Sequence, residues 1–295
     1  MVSFRAKKRL GQHFLIDEGI LKDILSAAEL NPTDVVVEVG PGLGILTEEL
    51  AKQVARVIAV EIDARLVSIL RKKISSLGNV EIIHGDVLKL PPEQLLEIAQ
   101  SVPHNVESGL KSCPSPPQNY KVVANLPYYI TSPVLRHFLE ASIKPSIMVV
   151  MVQKEVGEAI VAASGKMSLL SLRIQFYSKP TIIAYVSAKS FSPTPKVDSL
   201  ILRLDVYHKP PIEIFDTVSF FDIISYGFSS PRKQLRNSLA QASEMPPDQV
   251  ALLLGRAGVE AKRRAETLNL EEWKKIWETF TPFIKNRNAN HLRTS

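Results

Sequence analysis

From residue 31 onward, short apolar runs alternate with stretches in which leucines and isoleucines recur every three or four positions. The runs lie at residues 35–40 (VVVEVG), 57–62 (VIAVEI), 80–85 (VEIIHG), 121–125 (KVVAN) and 146–152 (SIMVVMV). Runs of this length and β-branched content are typical of buried strands. Because they alternate with helical patterns, they predict βαβ units and a parallel sheet that is covered on both faces.

The pattern changes towards the end of this region. Residues 181–188 (TIIAYVSA) and 199–204 (SLILRL) are strand patterns with no helical pattern between them. Successive strands joined by a proline-rich turn are expected to pair antiparallel. The predicted fold class is therefore α/β, with a mostly parallel sheet that contains one antiparallel strand.

After Pro210 and Pro211 the chain shows only helical patterns. Helices are predicted near 217–228, from Ser230 as N-cap with Pro231 in the first turn, after Pro246 and Pro247, and from Asn269, which forms a capping box with Glu272. We therefore predict two domains, residues 1–208 with the sheet and residues 209–295 as a small all-helical domain. Residues 91–119 are rich in proline and predict an insertion or surface loop.

Composition restricts the class of protein without identifying it. The chain has 295 residues, of which 45% are hydrophobic and 22% charged, as in ordinary globular proteins. No apolar run has the length of a membrane span, and the first residues resemble neither a signal peptide nor a transit peptide. The single cysteine, Cys113, has no intrachain partner and fits a reducing compartment, so we expect a cytoplasmic protein. The net charge of +6 permits an anionic partner.

A glycine-rich turn, Gly40-Pro41-Gly42-Leu43-Gly44, follows the first strand. Glycine lets the backbone pass close to a ligand, and the spacing G-x-G-x-G differs from the G-x-G-x-x-G of dinucleotide-binding enzymes. Glu61 ends the second strand, where a carboxylate can accept both hydroxyls of a ribose. Asp86 follows the third strand, where it can accept the exocyclic amine of an adenine. Either carboxylate alone would be ordinary at a strand end, but together with the turn they predict an adenosine site.

The fourth strand ends in Asn125-Leu126-Pro127-Tyr128. The side-chain oxygen of Asn125 and the backbone carbonyl of Leu126 can accept the two N–H bonds of an exocyclic amine. The ring of Tyr128 can stack on the base that carries this amine. A turn followed by a core tyrosine is the alternative, but the position at a strand end favours a site for a planar base.

These motifs resemble those of the KsgA family of ribosomal RNA adenine dimethyltransferases. The resemblance covers nearly the whole chain and includes KRLGQHFL (8–15), QKEV (153–156), FSPTPKVDS (191–199) and RKQLRN (232–237). It implies a Rossmann-like methyltransferase sheet and S-adenosyl-L-methionine as cofactor. With Gly42 of the glycine turn, the predicted cofactor-binding residues are His13, Leu15, Gly40, Gly42, Glu61, Asp86 and Asn125.

The predicted catalytic residues are Asn125, Leu126, Pro127, Tyr128 and Phe191. The resemblance places Phe191 opposite Tyr128, so that the two rings would sandwich the target adenine; a core phenylalanine is the alternative. No acid–base pair is needed, because carbonyl acceptors can stabilise the charge that develops on the nitrogen during methyl transfer. Two positions depart from the family pattern: His13 stands where many relatives have Asn, and Ser164 where relatives often have Tyr.

Lysines and arginines cluster at residues 5–9, 232–236 and 262–264. Arg232, Lys233 and Arg236 are predicted to lie on one arc of a helix and to contact RNA phosphates, which position an RNA without reading its sequence. A solvated helix face is the alternative. The histidines have no metal-ligand spacing, and no metal is predicted.

The resemblance implies S-adenosylmethionine-dependent dimethylation of the N6 amines of two adjacent adenosines near the 3′ end of 16S ribosomal RNA. The expected partner is small-subunit ribosomal RNA within a pre-30S particle, and the enzyme is expected to be a monomer. The alternatives are an Erm-like methyltransferase of 23S ribosomal RNA, a non-catalytic assembly or transcription factor on the same fold, and an NAD-dependent dehydrogenase. The helical C-terminal segment and the KKRLGQHFL opening argue against the first, the intact residues 125–128 against the second, and the glycine spacing against the third.

Overall fold

A computed structural model describes residues 12–101 and 120–291. Residues 5–9 with their basic cluster, Cys113 and the proline-rich part of the predicted insertion lie outside these ranges. Within the described ranges, no helix combines the length and the apolar character needed to cross a membrane.

The strands are, in chain order, β1 (Phe14–Leu15), β2 (Val35–Val39), β3 (Arg56–Glu61), β4 (Val80–His84), β5 (Tyr120–Asn125), β6 (Ile147–Gln153), β7 (Ser178–Val186), β8 (Phe191–Ser192) and β9 (Ser199–Val206). The helices are α1 (Glu18–Ala27), α2 (Ile45–Ala51), α3 (Ala64–Lys73), α4 (Pro92–Ser101), α5 (Thr131–Leu139), α6 (Lys154–Ile160), α7 (Leu169–Tyr177), α8 (Thr217–Phe228), α9 (Leu235–Ser243), α10 (Pro247–Arg256) and α11 (Leu270–His291).

A seven-stranded sheet organises the first part of the chain, with the strand order β4-β3-β2-β5-β6-β9-β7. The strands β4, β3, β2, β5 and β6 are parallel, and β9 is antiparallel to both of its neighbours, β6 and β7. Every residue of β2 and β3 is buried, as expected for strands covered on both faces. The predicted mostly parallel sheet with one antiparallel strand is confirmed.

The strand order sets the position of a crevice. From β2 the chain continues to β3 and β4 on one side of β2, and it then returns to form β5 on the other side. In doubly wound sheets, ligands bind outside the carboxyl ends of the strands where the order reverses in this way. The glycine turn after β2 and the Asn125–Tyr128 segment after β5 meet at this point.

The residues cluster into two compact units, one of residues up to 158 with 177–208, the other of residues 159–176 with those from 209 onward. The predicted boundary after residue 208 would instead place 159–176 in the first domain. In the structure, the ring of Phe176 lies 5.7 Å from that of Phe220, and the guanidinium of Arg173 lies 4.3 Å from the ring of Phe221. These aromatic contacts join the segment to α8.

Residues 164–167 also pack within the helical unit. Ser164 Oγ donates to the carbonyl of Thr267 at 2.6 Å, and the N–H groups of Gly165 and Met167 donate to the carbonyl of Glu266 at 3.0 and 3.1 Å. The serine at the position where relatives often have tyrosine therefore joins the segment to the turn that precedes α11.

One helix start in this unit differs from the prediction. The helix expected from Ser230 and Pro231 begins at Leu235, and residues 230–233 form a turn instead. The N–H groups of Leu235 and Arg236 donate to the carbonyls of Arg263 and Ala261 at 2.7 and 3.3 Å. These carbonyls satisfy N–H groups of the first turn, which no side chain caps.

The capping box before α11 is confirmed. The Asn269 N–H donates to Glu272 Oε2 at 3.0 Å, and the Glu272 N–H donates to Asn269 Oδ1 at 2.9 Å. The helix then buries Trp273, Trp277 and Phe280 in the core of the helical unit.

Candidate active site

A cavity of about 360 Å³ lies at the carboxyl ends of β2 to β5. It brings together every residue predicted to bind the cofactor, and also the strand-end motif of β5. Lining residues from these two sets are His13, Leu15, Gly40, Gly42, Glu61, Asp86, Asn125, Leu126, Pro127 and Tyr128. Residues far apart in the sequence therefore share one cavity, although their roles stay predictions.

The glycine turn has a backbone that favours glycine. Gly40, Gly42 and Gly44 have φ angles of 69°, 59° and 80°, in the left-handed region that side chains disfavour. A Cβ at Gly42 would lie 3.1 Å from the ring of Phe14, and a Cβ at Gly44 would lie 2.3 Å from Leu70 Cδ1. The turn can thus hold the Gly42 N–H close to the end of β3.

Glu61 is held by that turn and by its own strand end. Its Oε2 accepts the Gly42 N–H at 3.2 Å, and its Oε1 accepts the Asp63 N–H at 2.9 Å. The residue is only 4% exposed, and burial raises the pKa of its carboxyl while the two backbone donors oppose the rise. Both oxygens are fixed in position and retain lone pairs for a ligand.

Asp86 and Asn125 are oriented in a similar way by backbone groups. Asp86 Oδ1 accepts the Leu88 N–H at 3.1 Å, which caps the short turn after β4. Asn125 Nδ2 donates to the carbonyl of His13 at 3.1 Å. Because the NH₂ end of the amide is used in this bond, the oxygen is the end of Asn125 that is offered to a ligand.

Tyr128 is half-buried at the cavity. Its hydroxyl lies 2.7 Å from Ser199 Oγ, and burial raises the pKa of this hydroxyl. The ring stacks with the imidazole of His13, with centroids 6.1 Å apart and an interplanar angle of 21°. This arrangement leaves the phenol neutral and its ring fixed by two contacts.

The predicted position of Phe191 differs from its position in the structure. Phe191 is 2% exposed, belongs to a core cluster with Leu15, Leu21 and Ile24, and is not among the residues that line the cavity. It pairs with Leu15 across the small antiparallel sheet of β1 and β8, which buries its side chain. This burial favours the core alternative, while the stacking role of Phe191 stays a prediction; the ring of His13 stacks with that of Tyr128 in the structure.

Sequence reasoning missed how the segment from Gln12 to Asp17 is anchored. His13 Nδ1 lies 2.6 Å from the carbonyl of Pro193, and Gln12 Nε2 donates to Asp63 at 3.2 Å. Asp17 caps α1, and the Ser190 hydroxyl donates to its carboxylate at 2.9 Å, which lowers the pKa of Asp17. Asp17 before a helical pattern was the one local signal for this helix start.

The charge of the cavity restricts its ligand. The carboxyls of Glu38, Glu61 and Asp86 line it, and none of the described lining residues is a lysine or an arginine. Carboxylates in a partly buried site favour a cation, whereas the pyrophosphate of a dinucleotide would be repelled. The cavity therefore fits a nucleoside that carries positive charge.

The predicted RNA-binding residues lie in the helical unit. Arg232 and Lys233 are exposed in the turn before α9, and Arg236 is half-buried on the helix itself. The backbone bonds of Leu235 and Arg236 to residues 261–263 place the basic cluster at 262–264 beside the one at 232–236. The two clusters, separate in sequence, are therefore adjacent in the helical unit, where Arg263 pairs with Glu272.

Comparison with known proteins identifies the family. A family model described as ribosomal RNA adenine dimethylase matches residues 3–281. The chain belongs to the ribosomal RNA adenine dimethylase family. A Ribosomal RNA small subunit methyltransferase A from Dehalococcoides mccartyi is 48% identical over 274 residues, which cover 93% of this chain and 88% of the relative.

Two solved structures are similar over most of their length. The 23S rRNA methyltransferase ErmE has a TM-score of 0.67 and 28% identity, and the match covers 91% of this chain and 99% of ErmE. A dimethyladenosine transferase from Plasmodium falciparum has a TM-score of 0.71 and 25% identity, with coverage of 92% and 98%. The Rossmann-like methyltransferase fold is thereby confirmed.

Membership of the ribosomal RNA adenine dimethylase family defines the chemistry. The protein is a ribosomal RNA adenine methyltransferase that uses S-adenosyl-L-methionine. The cavity fits this cofactor, because the sulfonium and the ammonium of S-adenosylmethionine are cationic and the lining charges are carboxyls.

Proposed function

We propose that this protein dimethylates the N6 amines of two adjacent adenosines near the 3′ end of 16S ribosomal RNA. It would act as a cytoplasmic monomer on a pre-30S particle. The relative named for the small subunit shares 48% identity with the chain, compared with 28% for ErmE, which acts on 23S RNA. The observation that carries the chemistry is the oriented amide of Asn125 at an anionic cavity.

The cofactor is held by the strand-end acids in this proposal. Glu61 accepts the ribose hydroxyls, since its two oxygens are fixed by the N–H groups of Gly42 and Asp63. Asp86 accepts the adenine amine. When bound, S-adenosylmethionine supplies a methyl group on a positively charged sulfur.

The target adenine is held by the segment after β5. Asn125 Oδ1 and the carbonyl of Leu126 accept the two N–H bonds of N6, and Tyr128 stacks on the ring of the base. The N6 lone pair is delocalised into the ring, so acceptors that favour a pyramidal nitrogen assist its attack. They also stabilise the positive charge that develops on this nitrogen, and the proton then leaves to water.

Labelled methyl transfer to small subunits that lack the modification tests the substrate. We expect incorporation of methyl groups into 16S RNA, with both modified adenosines mapped near its 3′ end. Large subunits that lack adenine methylation serve as the control. Incorporation into 23S RNA instead of 16S RNA would contradict the proposed substrate and favour the Erm-like activity.

The basic surface of the helical unit should contribute to RNA binding through phosphates. Replacing Arg232, Lys233 and Arg236 by Gln is expected to weaken RNA binding and to flatten its dependence on log salt. The slope should fall by about 0.7 to 0.9 for each phosphate that the variant no longer neutralises. RNA affinity measured across a salt series checks this, while cofactor affinity should stay unchanged.

A matched control removes the same charge from exposed lysines elsewhere. Lys22, Lys52 and Lys72 are exposed on helices or helix ends of the first unit. Their triple Gln variant should keep a steeper salt slope than the variant of the basic surface. Parallel slopes for wild type and for the Arg232/Lys233/Arg236 variant would show that these residues are a solvated surface only.

A further inference from the structure

Glu38 is a buried carboxyl that the proposed chemistry does not use. It lies on β2, is 1% exposed and lines the cavity, and its Oε2 has no hydrogen-bond partner among the described residues. Burying a carboxylate without a hydrogen-bond partner costs far more free energy than burying the neutral acid. The unpartnered oxygen of Glu38 at the cavity therefore suggests a role in ligand binding.

The neighbours of Glu38 affect the free-energy cost of ionising its carboxyl. In the register of β2 and β3, Val39 is level with Val60, so Glu38 and Glu61 point to the same face of the sheet. The Thr47 hydroxyl on α2 is also buried and, like Glu38 Oε2, has no hydrogen-bond partner among the described residues. Burial raises the pKa of the Glu38 carboxyl to about 8; the Thr47 hydroxyl opposes part of the rise, and the charge of Glu61 adds to it.

The remaining titratable side chains at the cavity are His13, Asp86, Tyr128 and Tyr129. None of them supplies a fixed positive charge to offset two neighbouring carboxylates. Without a ligand, a proton bound by one of the acidic groups removes the repulsion between the Glu38 and Glu61 carboxylates. With a cationic ligand bound, the positive charge of the ligand offsets both carboxylates.

We infer that Glu38 makes cofactor binding release a proton: it is the neutral acid in the free enzyme and becomes a carboxylate when the cationic methyl donor binds. The inference rests on S-adenosylmethionine as the ligand of this cavity. The proton passes from the Glu38 carboxyl to the buffer, and no covalent bond to the donor changes. Glu38 is thus a positioning residue that matches the charge of the cavity to a cationic donor.

Isothermal titration of S-adenosylmethionine in buffers of different ionisation enthalpy counts the released protons. At pH 7 and a pKa of about 8, wild type should release about 0.9 proton more per donor than Glu38→Gln. The amino group of the donor contributes equally to both measurements, so the difference isolates Glu38. Glu48→Gln, an acid of α2 paired with Lys73, is the control and should behave as wild type.

The pH dependence has a definite sign. Below pH 8 binding must expel the proton, so the donor affinity of wild type relative to Glu38→Gln should rise about tenfold per pH unit and level off above pH 8. If Glu38→Gln does not fold, infrared difference spectra of wild type provide the test. Infrared difference spectra should show the carbonyl stretch of a carboxylic acid disappear when the donor binds to wild type.

The outcomes separate the inference from the proposed function. Donor binding with equal proton release in wild type and Glu38→Gln would overturn the role of Glu38 and leave the methyl donor in place. Infrared difference spectra that show no loss of a carboxylic acid carbonyl stretch on donor binding would also overturn it. Absence of any S-adenosylmethionine binding would overturn both.

Discussion

Asn125→Ala is expected to lower kcat for methyl transfer about 100- to 1000-fold, the range found when one charge-stabilising group is removed from an active site. The variant loses the oxygen that accepts from N6 in the transition state, so the rate should fall far more than RNA affinity does. It also loses the 3.1 Å bond to the His13 carbonyl, at about 1 kcal/mol of stability. Single-turnover rates at saturating RNA and cofactor measure the effect.

Asn79→Ala is the matched control for this variant. Asn79 Nδ2 donates to the carbonyls of Ala51 and Val54 at 2.8 and 3.0 Å, and the residue does not line the cavity. Its loss should reduce thermal stability while the rate of methyl transfer in the folded protein stays close to that of wild type. Wild-type turnover by Asn125→Ala would rule out the proposed role of the amide.

Glu61→Gln is expected to weaken S-adenosylmethionine binding by about 2 kcal/mol, or roughly 30-fold, because the ribose loses a charged acceptor. The amide has a single oxygen and cannot accept from both Gly42 and Asp63 as the carboxylate does. One of these N–H groups will therefore face an NH₂ group, and the glycine turn will lose an anchor. Calorimetric titration of the donor measures the affinity directly.

Glu48→Gln again serves as the control, since Glu48 pairs with Lys73 at 2.7 Å outside the cavity. It should bind the donor as wild type does. RNA affinity should be unaffected in both variants, because neither residue lies on the basic surface. An unchanged donor affinity in Glu61→Gln would remove Glu61 from the cofactor site.

The sequence by itself determined the sheet and the edge at which the cavity forms. Apolar runs correspond to β2 to β7 and β9. The central strands are continuously apolar because both of their faces are covered, whereas the edge strand β7 alternates partly or fully buried residues with exposed ones. Strand-end chemistry could also be predicted, since the carboxyl ends of parallel strands meet at one edge. The sequence therefore predicts that Gly42, Glu61, Asp86 and Asn125 lie together.

Tertiary structure decided the contacts that depend on residues distant in sequence. The burial of Phe191 depends on its pairing with Leu15 across β1 and β8, two strands that are too short to show a pattern in the sequence. Helix α9 begins at Leu235 and not at Ser230, because the carbonyls of Arg263 and Ala261 accept its first N–H groups. These carbonyls are distant in sequence, so a prediction from local capping residues does not take them into account. The burial of Glu38 beside Glu61 likewise follows from strand register, and only that register puts two like charges in one low-dielectric site.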